Sequence, residues 1–448
     1  MGTFHRGATM TQRRLGAIRV GALLVSASYG VAFLLGSGEM AIHSGMAGSL
    51  YAIVTALGML ALAVAAPALW RGREPIWNVF GQRYGPAVRK LVAFLSLFWM
   101  TGVLAAQIHG GIAVLKTCGL PATHALALIA IGLLVMSAIE LELAAMLFAF
   151  CLLGTNLALL HVLFESNGLA LYVHAWPSFI RDVRVAPRAE TLVTIAAIIF
   201  LVVTGSDYQQ FVIAARRPAD ASLGCGLAGA FLLATGFLPA ATVVAALRAG
   251  KLSGVTDAAS AIPSILLQTG EPTGLLCIGA ILLAALGSGT AVVRAMNCAL
   301  EDLHPTSSGH GHAWRMLIIL IGCTTATDGE AIVSTIVALN IVYVSAVGLL
   351  FILHEAGFCV TPRCASMMLL SGATTSLLVI ALHWTGIDKL TGWLPLPAGL
   401  AASACPLCVR QITLFRRRVR YMRIAQRRLC PSEPAGSDSA GRHERSGR

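Results

Sequence analysis

The sequence predicts an all-α integral membrane protein with about 12 transmembrane helices, and three observations carry this prediction. Of the 448 residues, 57% are hydrophobic and only 12% are charged, whereas a soluble chain carries about 25% charged residues. Apolar stretches of about 20 residues, long enough to cross a bilayer, recur along the chain. Two of these stretches are interrupted by polar residues and glycines, five crossings apart. The composition therefore argues against a soluble enzyme of two or three domains.

Twelve apolar stretches account for the predicted crossings. They cover residues 20–37, 46–70, 86–115, 122–139, 143–165, 190–209, 221–247, 273–302, 313–327, 330–354, 364–384 and 393–412. The first follows a basic segment but lacks the small-residue pattern of a signal-peptide cleavage site, so we interpret it as a true crossing. The ninth and tenth lie so close together that they must form a hairpin around residues 326–330.

The crossings divide the chain into six predicted parts. These are a cytoplasmic N-terminal segment over 1–19, a first group of five helices over 20–165, an external loop over 166–189, a second group of five over 190–354, two accessory helices over 364–412, and a basic, partly disordered tail over 413–448. Two external connections contain apolar segments too short to cross, at 176–179 and 261–267. We expect the first of these to form a short gating helix along the membrane interface.

Positive charge predicts the orientation of the chain. Segments on the predicted cytoplasmic side carry 24 Lys and Arg residues against 7 on the other side, which places both termini in the cytoplasm, as expected for a bacterial inner-membrane protein. The net charge of +12 is concentrated in the segment from Arg410 to the end, where 11 Arg accompany 3 acidic residues. A basic segment directly after the last crossing is typical of an anchor on anionic lipid, and we expect no nucleic-acid partner.

The first and sixth crossings differ from the plain Leu, Ala, Val and Ile of the others. The first contains Ser26-Ala27-Ser28-Tyr29-Gly30 and then Gly36-Ser37-Gly38-Glu39, and the sixth contains residues 204–210, Thr-Gly-Ser-Asp-Tyr-Gln-Gln. An unwound turn in the membrane frees backbone carbonyl and N–H groups, which need partners there. Paired interruptions at matching positions of two repeats indicate a transporter binding site, although glycine and serine also allow close helix packing.

Four motifs in order resemble the sodium:solute symporter family. They are Ser26-Ala27-Ser28-Tyr29-Gly30 with the following residues 33–36, the loop sequence 77–85, the sixth-crossing sequence 205–221, and residues 283–303, which end in an acidic pair. The resemblance runs from about Val20 to Thr385. It implies two inverted five-helix repeats followed by two C-terminal helices, as in the bacterial leucine transporter. It also implies transport of sugars, amino acids, vitamins or small organic anions with sodium.

The resemblance also implies a sodium site. The family takes carbonyl groups from its first broken helix, which fall on Ser26 and Tyr29, and hydroxyls from its eighth helix, which fall near Ser288 and Thr290. Neutral oxygens suffice for a hard monovalent ion. Residues two apart lie about 200° around a helix, so Ser288 and Thr290 face one ion only if the helix is distorted. Sodium coupling, proton coupling and ion-independent transport therefore all stay open.

Polar residues near the interruptions are the candidates for binding the solute. They are Ser28, Tyr29, Gln107, His109, Gly205, Asp207 and Tyr208. Charges inside a membrane are costly and are either functional or paired. Glu39 is accordingly a candidate proton acceptor or a residue of the outer mouth, and Asp207 binds a cationic group or a proton, or caps the interruption. Arg294 either acts as a fixed cation, which would make transport independent of sodium, or pairs with Glu140, Glu142 or Asp302.

The sequence predicts a secondary active transporter for a small polar organic solute, with sodium as the expected coupling ion and no other cofactor. The alternatives are a proton-coupled or ion-independent carrier on the same fold, with Glu39 or Arg294 as the charge, and a membrane sensor that binds a solute without moving it. A membrane enzyme lacks support, because the chain contains no His-Glu-x-x-His motif and no cluster of carboxylates at a membrane face.

Overall fold

The computed structural model describes residues 15–30, 32–139, 141–255, 257–304, 311–326, 332–384 and 392–408. In these ranges the backbone is helical, and strand-type pairing is limited to one bridge between Leu15 and Ala215. The predicted hairpin turn at 327–330, the end of the twelfth predicted crossing and the tail over 413–448 lie outside the described residues.

The first half of the chain forms nine α-helices. They are α1 (Ala17–Ser28), α2 (Ser37–Ser44), α3 (Leu50–Gly72), α4 (Ile76–Tyr84), α5 (Pro86–Thr117), α6 (Ala122–Ala138), α7 (Leu141–Glu165), α8 (Leu169–Val173) and α9 (Ala175–Val185). A π-helical turn (Ala32–Gly36) precedes α2, and a 3-10 turn (Gly45–Ser49) joins α2 to α3.

The second half of the described chain continues in the same way. Its helices are α10 (Arg188–Thr204), α11 (Ser206–Ile213), α12 (Pro218–Thr235), α13 (Leu238–Arg248), α14 (Ala261–Leu267), α15 (Thr273–Leu303), α16 (Gly311–Ala326), α17 (Ile332–Glu355), α18 (Pro362–Trp384) and α19 (Pro395–Cys408). A short 3-10 turn (Ala258–Ser260) leads into α14.

Each of the twelve predicted crossings coincides with helix in the described residues. Seven helical stretches are long and apolar enough to cross a membrane, judged by length and composition. Four of the remaining predicted crossings correspond to shorter apolar helices, namely α1, α6, the apolar part of α7, and α19. The ninth predicted crossing corresponds to α16. The two segments predicted to be too short to cross are also helical, since they form part of α9 and all of α14.

The helix contacts reveal two repeats of five crossings. Helix α1 packs against α12 as α10 packs against α3, so the first crossing meets the seventh as the sixth meets the second. Likewise α5 packs against α17 as α15 packs against α7, and α5 against α16 as α15 against α6. The short helices α4 and α14 occupy matching places, each just before and in contact with the third crossing of its repeat.

Polar contacts define the two ends of the helix bundle. At one end, Asp302 of α15 accepts hydrogen bonds from Trp77 and Asn78 of α4, at 2.8 and 3.0 Å, and its carbonyl accepts one from Arg89 at 2.9 Å. At the other end, Lys116 in the last turn of α5 forms an ion pair of 3.7 Å with Asp257 before α14. These two contacts join equivalent elements of the two repeats at opposite ends.

Candidate functional site

The first crossing is interrupted after Ser28. Helix α1 ends there, Tyr29 adopts φ −82° and ψ 42°, and helical structure resumes in the π-helical turn that leads into α2. Gly30 lies in this interruption, and a Cβ atom at its position would lie 2.6 Å from both Gln107 Oε1 and Ser288 Oγ. No larger residue fits without a shift, because Cβ contacts below 3.0 Å are essentially never seen. The interruption thus brings the first crossing against α5 and α15.

The sixth crossing is interrupted at Gly205. Its extended backbone (φ −67°, ψ 123°) separates the end of α10 at Thr204 from the start of α11. Two carbonyl groups at the end of α10 are bound by side chains. The Tyr343 hydroxyl of α17 donates to the Thr204 carbonyl at 3.2 Å, and the Gln209 amide donates to the Val203 carbonyl at 3.1 Å. The protein therefore supplies the partners that an unwound turn needs in a membrane.

The two interruptions face each other, since α1 packs against α11. The Tyr208 hydroxyl of α11 lies near the Ser28 side chain in the last turn of α1. Ser28 also donates to the Leu24 carbonyl of its own helix at 2.7 Å. The structure confirms that both crossings are broken at the predicted residues and that the two breaks lie side by side.

Ser288 connects the first interruption to α15. Its buried hydroxyl donates to the Ala27 carbonyl at 2.7 Å. Thr290 is equally buried, but its hydroxyl donates to the Leu286 carbonyl of its own helix at 2.6 Å. The two hydroxyls thus have separate partners, as their 200° separation around the helix implies. Ala27 as the carbonyl that Ser288 contacts was not identified from the sequence.

The Tyr29 side chain points away from the second interruption. Its hydroxyl donates to Asn156 Oδ1 of α7 at 2.6 Å, and its ring packs on Phe33 at 4.3 Å between ring centres. Tyr29 was predicted to bind sodium through its backbone carbonyl and also to contact the solute. Of its groups, the backbone carbonyl is the one that lies at the interruption. Asn156 was missed in the sequence, where a polar pair, Thr155 and Asn156, inside an apolar crossing was the available signal.

Gln107 and His109 of α5 occupy different environments. Gln107 is buried and its side-chain oxygen lies against Gly30. His109 is half-buried and interacts electrostatically with Glu39. Of the two predicted solute ligands on this helix, the structure brings Gln107 to the interruption and His109 to the neighbourhood of α2.

Glu39 and Arg294 both bind the end of another helix. Glu39 Oε2 accepts a hydrogen bond of 3.1 Å from the N–H of Ile332, the first residue of α17. Arg294 donates to the carbonyl groups of Met136 and Ile139 at the end of α6. Each charge matches the helix end that it meets, because a helix N-terminus attracts an anion and a C-terminus a cation. Of the partners predicted for Arg294, Glu140 lies outside the described residues.

Asp207 lies directly after the second interruption and is 1% exposed. The backbone N–H groups of Asp207 and Tyr208, in the first turn of α11, lie close to its carboxylate. Its Oδ1 atom has no hydrogen-bond partner among the described residues. A Cβ atom at Gly205 would lie 2.7 Å from this oxygen, so the carboxylate folds back over the interruption. The described side chains include no group of three His, Cys, Asp or Glu that could hold a metal ion.

The chain matches no protein-family model and no curated protein sequence. Two solved structures resemble it closely in fold. A Na⁺-coupled sialic acid symporter, in a substrate-bound outward-open state described as revealing a novel Na⁺ site, has a TM-score of 0.68 at 13% identity, over 89% of this chain and 90% of that one. Mhp1, a nucleobase-cation-symport-1 family transporter in a closed conformation with bromovinylhydantoin bound, has a TM-score of 0.54 at 13% identity, over 90% and 93%.

These likenesses confirm the predicted fold class. The chain is a multi-pass α-helical membrane protein with two inverted five-helix repeats and two further C-terminal helices, as in the leucine transporter. The repeat-related contacts described above are what an inverted repeat of this kind produces.

Proposed function

We propose that the chain is a secondary active transporter that moves a small polar organic solute across the membrane by alternating access. The observation that carries the proposal is the contact between the two interrupted crossings, α1 and α11. Beside it, Ser288 of α15 binds a carbonyl of the broken first helix. Discontinuous helices that meet at corresponding positions of two repeats are the usual sites of substrates and coupling ions in transporters. Both similar structures are described as transporters, which supports the same class for this chain.

Sodium is the coupling ion that the first interruption suits best. The Ser288 hydroxyl, the Ala27 carbonyl and the nearby carbonyls of Ser26 and Tyr29 are neutral oxygens, which a hard monovalent cation accepts as ligands. Among the described residues, none of the ion pairs involves a basic side chain at the first interruption. When sodium enters, the Ser288 hydroxyl turns its lone pairs to the ion and releases the Ala27 carbonyl for the same purpose.

The solute binds between the two interruptions in this proposal. Ser28, Gln107, Gly205, Asp207 and Tyr208 supply its polar contacts, and all five are buried where the two crossings meet. Movement of one helix bundle against the other then opens the site to alternate sides of the membrane. Binding of sodium at the first interruption stabilises the conformation that accepts the solute, which couples the two fluxes.

The test is solute uptake into proteoliposomes with and without a sodium gradient, using amino acids, sugars and carboxylates as probes. We expect uptake to follow the sodium gradient in the wild-type protein. Ser288→Ala should lower the apparent sodium affinity at least tenfold, because it removes a ligand. Thr290→Ala is the matched control, since its hydroxyl bonds within its own helix, and it should retain sodium dependence within about twofold.

Other outcomes distinguish the alternatives. Uptake that is unchanged by sodium but follows a pH gradient indicates a proton-coupled carrier, for which Glu39 is the candidate acceptor. Exchange that needs neither gradient indicates ion-independent transport. Solute binding to the purified protein without any uptake into vesicles indicates a sensor and contradicts the proposal.

We also propose that the protein resides in a bacterial inner membrane with both termini in the cytoplasm. The basic tail after residue 410 would then lie on anionic lipid. The end of the bundle that carries Asp302 and α4 is then cytoplasmic. The orientation is tested by introducing cysteines with Ser437→Cys in the tail and Ser253→Cys in the connection before α14. In sealed cells, a membrane-impermeant thiol reagent should label the second cysteine and not the first. Binding of the tail to vesicles with and without anionic lipid tests the contact with the membrane.

A further inference from the structure

The proposed sodium site makes no use of the Asp207 carboxylate. Asp207 belongs to the sixth crossing, is almost wholly buried, and forms no salt bridge among the described residues. One of its oxygens has no hydrogen-bond donor in the part of the chain that the structure describes. An ionised carboxylate that is buried without a counter-charge is destabilising by several kcal/mol. Because the carboxylate lies at an interrupted helix, it suits a cation that binds there at one stage of the transport cycle.

Three buried tyrosines lie within electrostatic range of this carboxylate. They are Tyr51 of α3, Tyr208 of α11 and Tyr343 of α17. A carboxylate with tyrosines nearby suits an organic cation, because the carboxylate neutralises the charge and aromatic side chains also attract cations. These groups come from three different crossings, so a ligand bound there would contact both repeats.

The same environment suits sodium less well. A hard cation needs several oxygen ligands at once. The Tyr343 hydroxyl donates to the Thr204 carbonyl, so it is engaged elsewhere. The first interruption, by contrast, offers backbone carbonyls and the Ser288 hydroxyl.

We propose that Asp207 binds a positively charged nitrogen group of the transported solute, so that the chain carries organic cations or zwitterions. The inference rests on the proposed function, since it names the class of solute for the same site. The solute nitrogen donates a hydrogen bond or a charge contact to Asp207 Oδ1, while Tyr51, Tyr208 and Tyr343 enclose it. The two interruptions then hold two different cations, sodium at the first and the solute nitrogen at the sixth.

The experiment is a thermal-stability screen of the purified full chain against solutes of matched size that differ in charge. The panel contains amino acids, amines, sugars and carboxylates, and it includes choline with its uncharged isostere 3,3-dimethylbutan-1-ol. Solutes that stabilise the protein are then measured for binding and for uptake into proteoliposomes. We expect them to carry an ammonium or guanidinium group, and their uncharged isosteres to bind at least tenfold more weakly.

Asp207→Asn is the decisive variant. It should weaken binding of the charged solute at least tenfold and leave binding of the uncharged isostere unchanged. Ser206→Ala is the control, because it removes a neighbouring hydroxyl that contacts Met100 Sδ, and it should keep the preference for the charged solute. If Asp207→Asn does not fold, the charge preference of the wild-type protein remains a test by itself.

Several results overturn the inference. Stabilising solutes that are all neutral or anionic would do so, as would an Asp207→Asn variant whose affinity for the charged solute stays within twofold of wild type. Loss of sodium binding in Asp207→Asn, measured with radioactive sodium and no solute, would assign the carboxylate to the inorganic ion instead. Uptake of neutral solutes would contradict the inference alone, whereas no uptake of any solute would contradict the proposed function and the inference with it.

Discussion

The two interrupted crossings solve the same backbone problem in different ways. At the first, the Ala27 carbonyl accepts a hydrogen bond from the hydroxyl of Ser288, a partner that an ion can displace. At the sixth, the carbonyls of Val203 and Thr204 are bound by Gln209 and Tyr343. In the proposed function, the first interruption uses its carbonyl oxygens for the ion, while the sixth satisfies its own and presents the carboxylate of Asp207 instead. A broken helix becomes an ion site only where its neighbours leave the backbone acceptors weakly bound.

The largest effect is expected from Gly30→Ala, which tests whether the first interruption must approach its neighbours closely. The added Cβ would lie 2.6 Å from Gln107 and Ser288. Overpacking of this kind destabilises by about 1–3 kcal/mol. We expect sodium-driven uptake to fall at least tenfold and the melting temperature in detergent to drop.

Gly226→Ala is the control for this change, because a Cβ atom there meets nothing within 4 Å. It should behave as wild type in both measurements. Wild-type uptake in Gly30→Ala would mean that the contact of Gly30 with Gln107 and Ser288 has no part in transport.

Tyr343→Phe tests whether the sixth interruption is closed by its own protein partners. The change leaves the buried Thr204 carbonyl without its donor from α17, and an unsatisfied buried acceptor destabilises by about 1–3 kcal/mol. We expect a lower melting temperature and an unchanged apparent sodium affinity in uptake. A shift in sodium affinity as large as that of Ser288→Ala would remove the distinction between the two interruptions.

Asn156→Leu tests what holds the first interruption in place. The Tyr29 hydroxyl donates to Asn156, and the substitution removes this acceptor from a buried hydroxyl, a destabilisation of about 1 kcal/mol. We expect a smaller fall in melting temperature than for Tyr343→Phe. We also expect a weaker apparent sodium affinity, since Tyr29 carries one of the proposed ligand carbonyls. Thr155→Val, at a residue bonded within its own helix, is the control.

The smallest effect is expected from Glu39→Gln. The amide oxygen still accepts from the Ile332 N–H, and the lost charge at the N-terminus of α17 is worth about 0.3–1 kcal/mol. Sodium-driven uptake should stay within about twofold of wild type. Loss of pH-driven uptake with retained exchange would instead identify Glu39 as a proton acceptor, and coupling would then reside outside both interruptions.

The crossings and their interruptions were predictable because both follow from local chemistry. Length and hydropathy fix where the chain can cross a bilayer, and Gly, Ser and Tyr at residues 26–30 and 204–210 mark where a lipid-facing helix is disfavoured. The structure agrees with this at both places. The separate orientations of Ser288 and Thr290 were likewise accessible, since they depend on helix geometry alone.

The partners of individual side chains were not predictable in this way. The contact of Tyr29 with Asn156 spans 127 residues and depends on how α1 packs against α7. Glu39 and Arg294 were expected to serve coupling or charge pairing, but each binds the end of a helix distant in sequence. A sequence shows that a buried charge needs a partner, and only the fold shows that the partner is a helix terminus.

The unequal anchoring of the two short repeat-related helices bears on the conformational cycle. Helix α4 is tied to Asp302 by two side-chain hydrogen bonds, while the segment before α14 is held to Lys116 by one ion pair whose side chains are 47% and 38% exposed. Exposed ion pairs contribute little to stability. We therefore expect the contacts at the end near α14 to break more readily than those at the end near α4. The two repeats would then be unequal in energy, and the protein without ligand would prefer the conformation that is open at the α14 end.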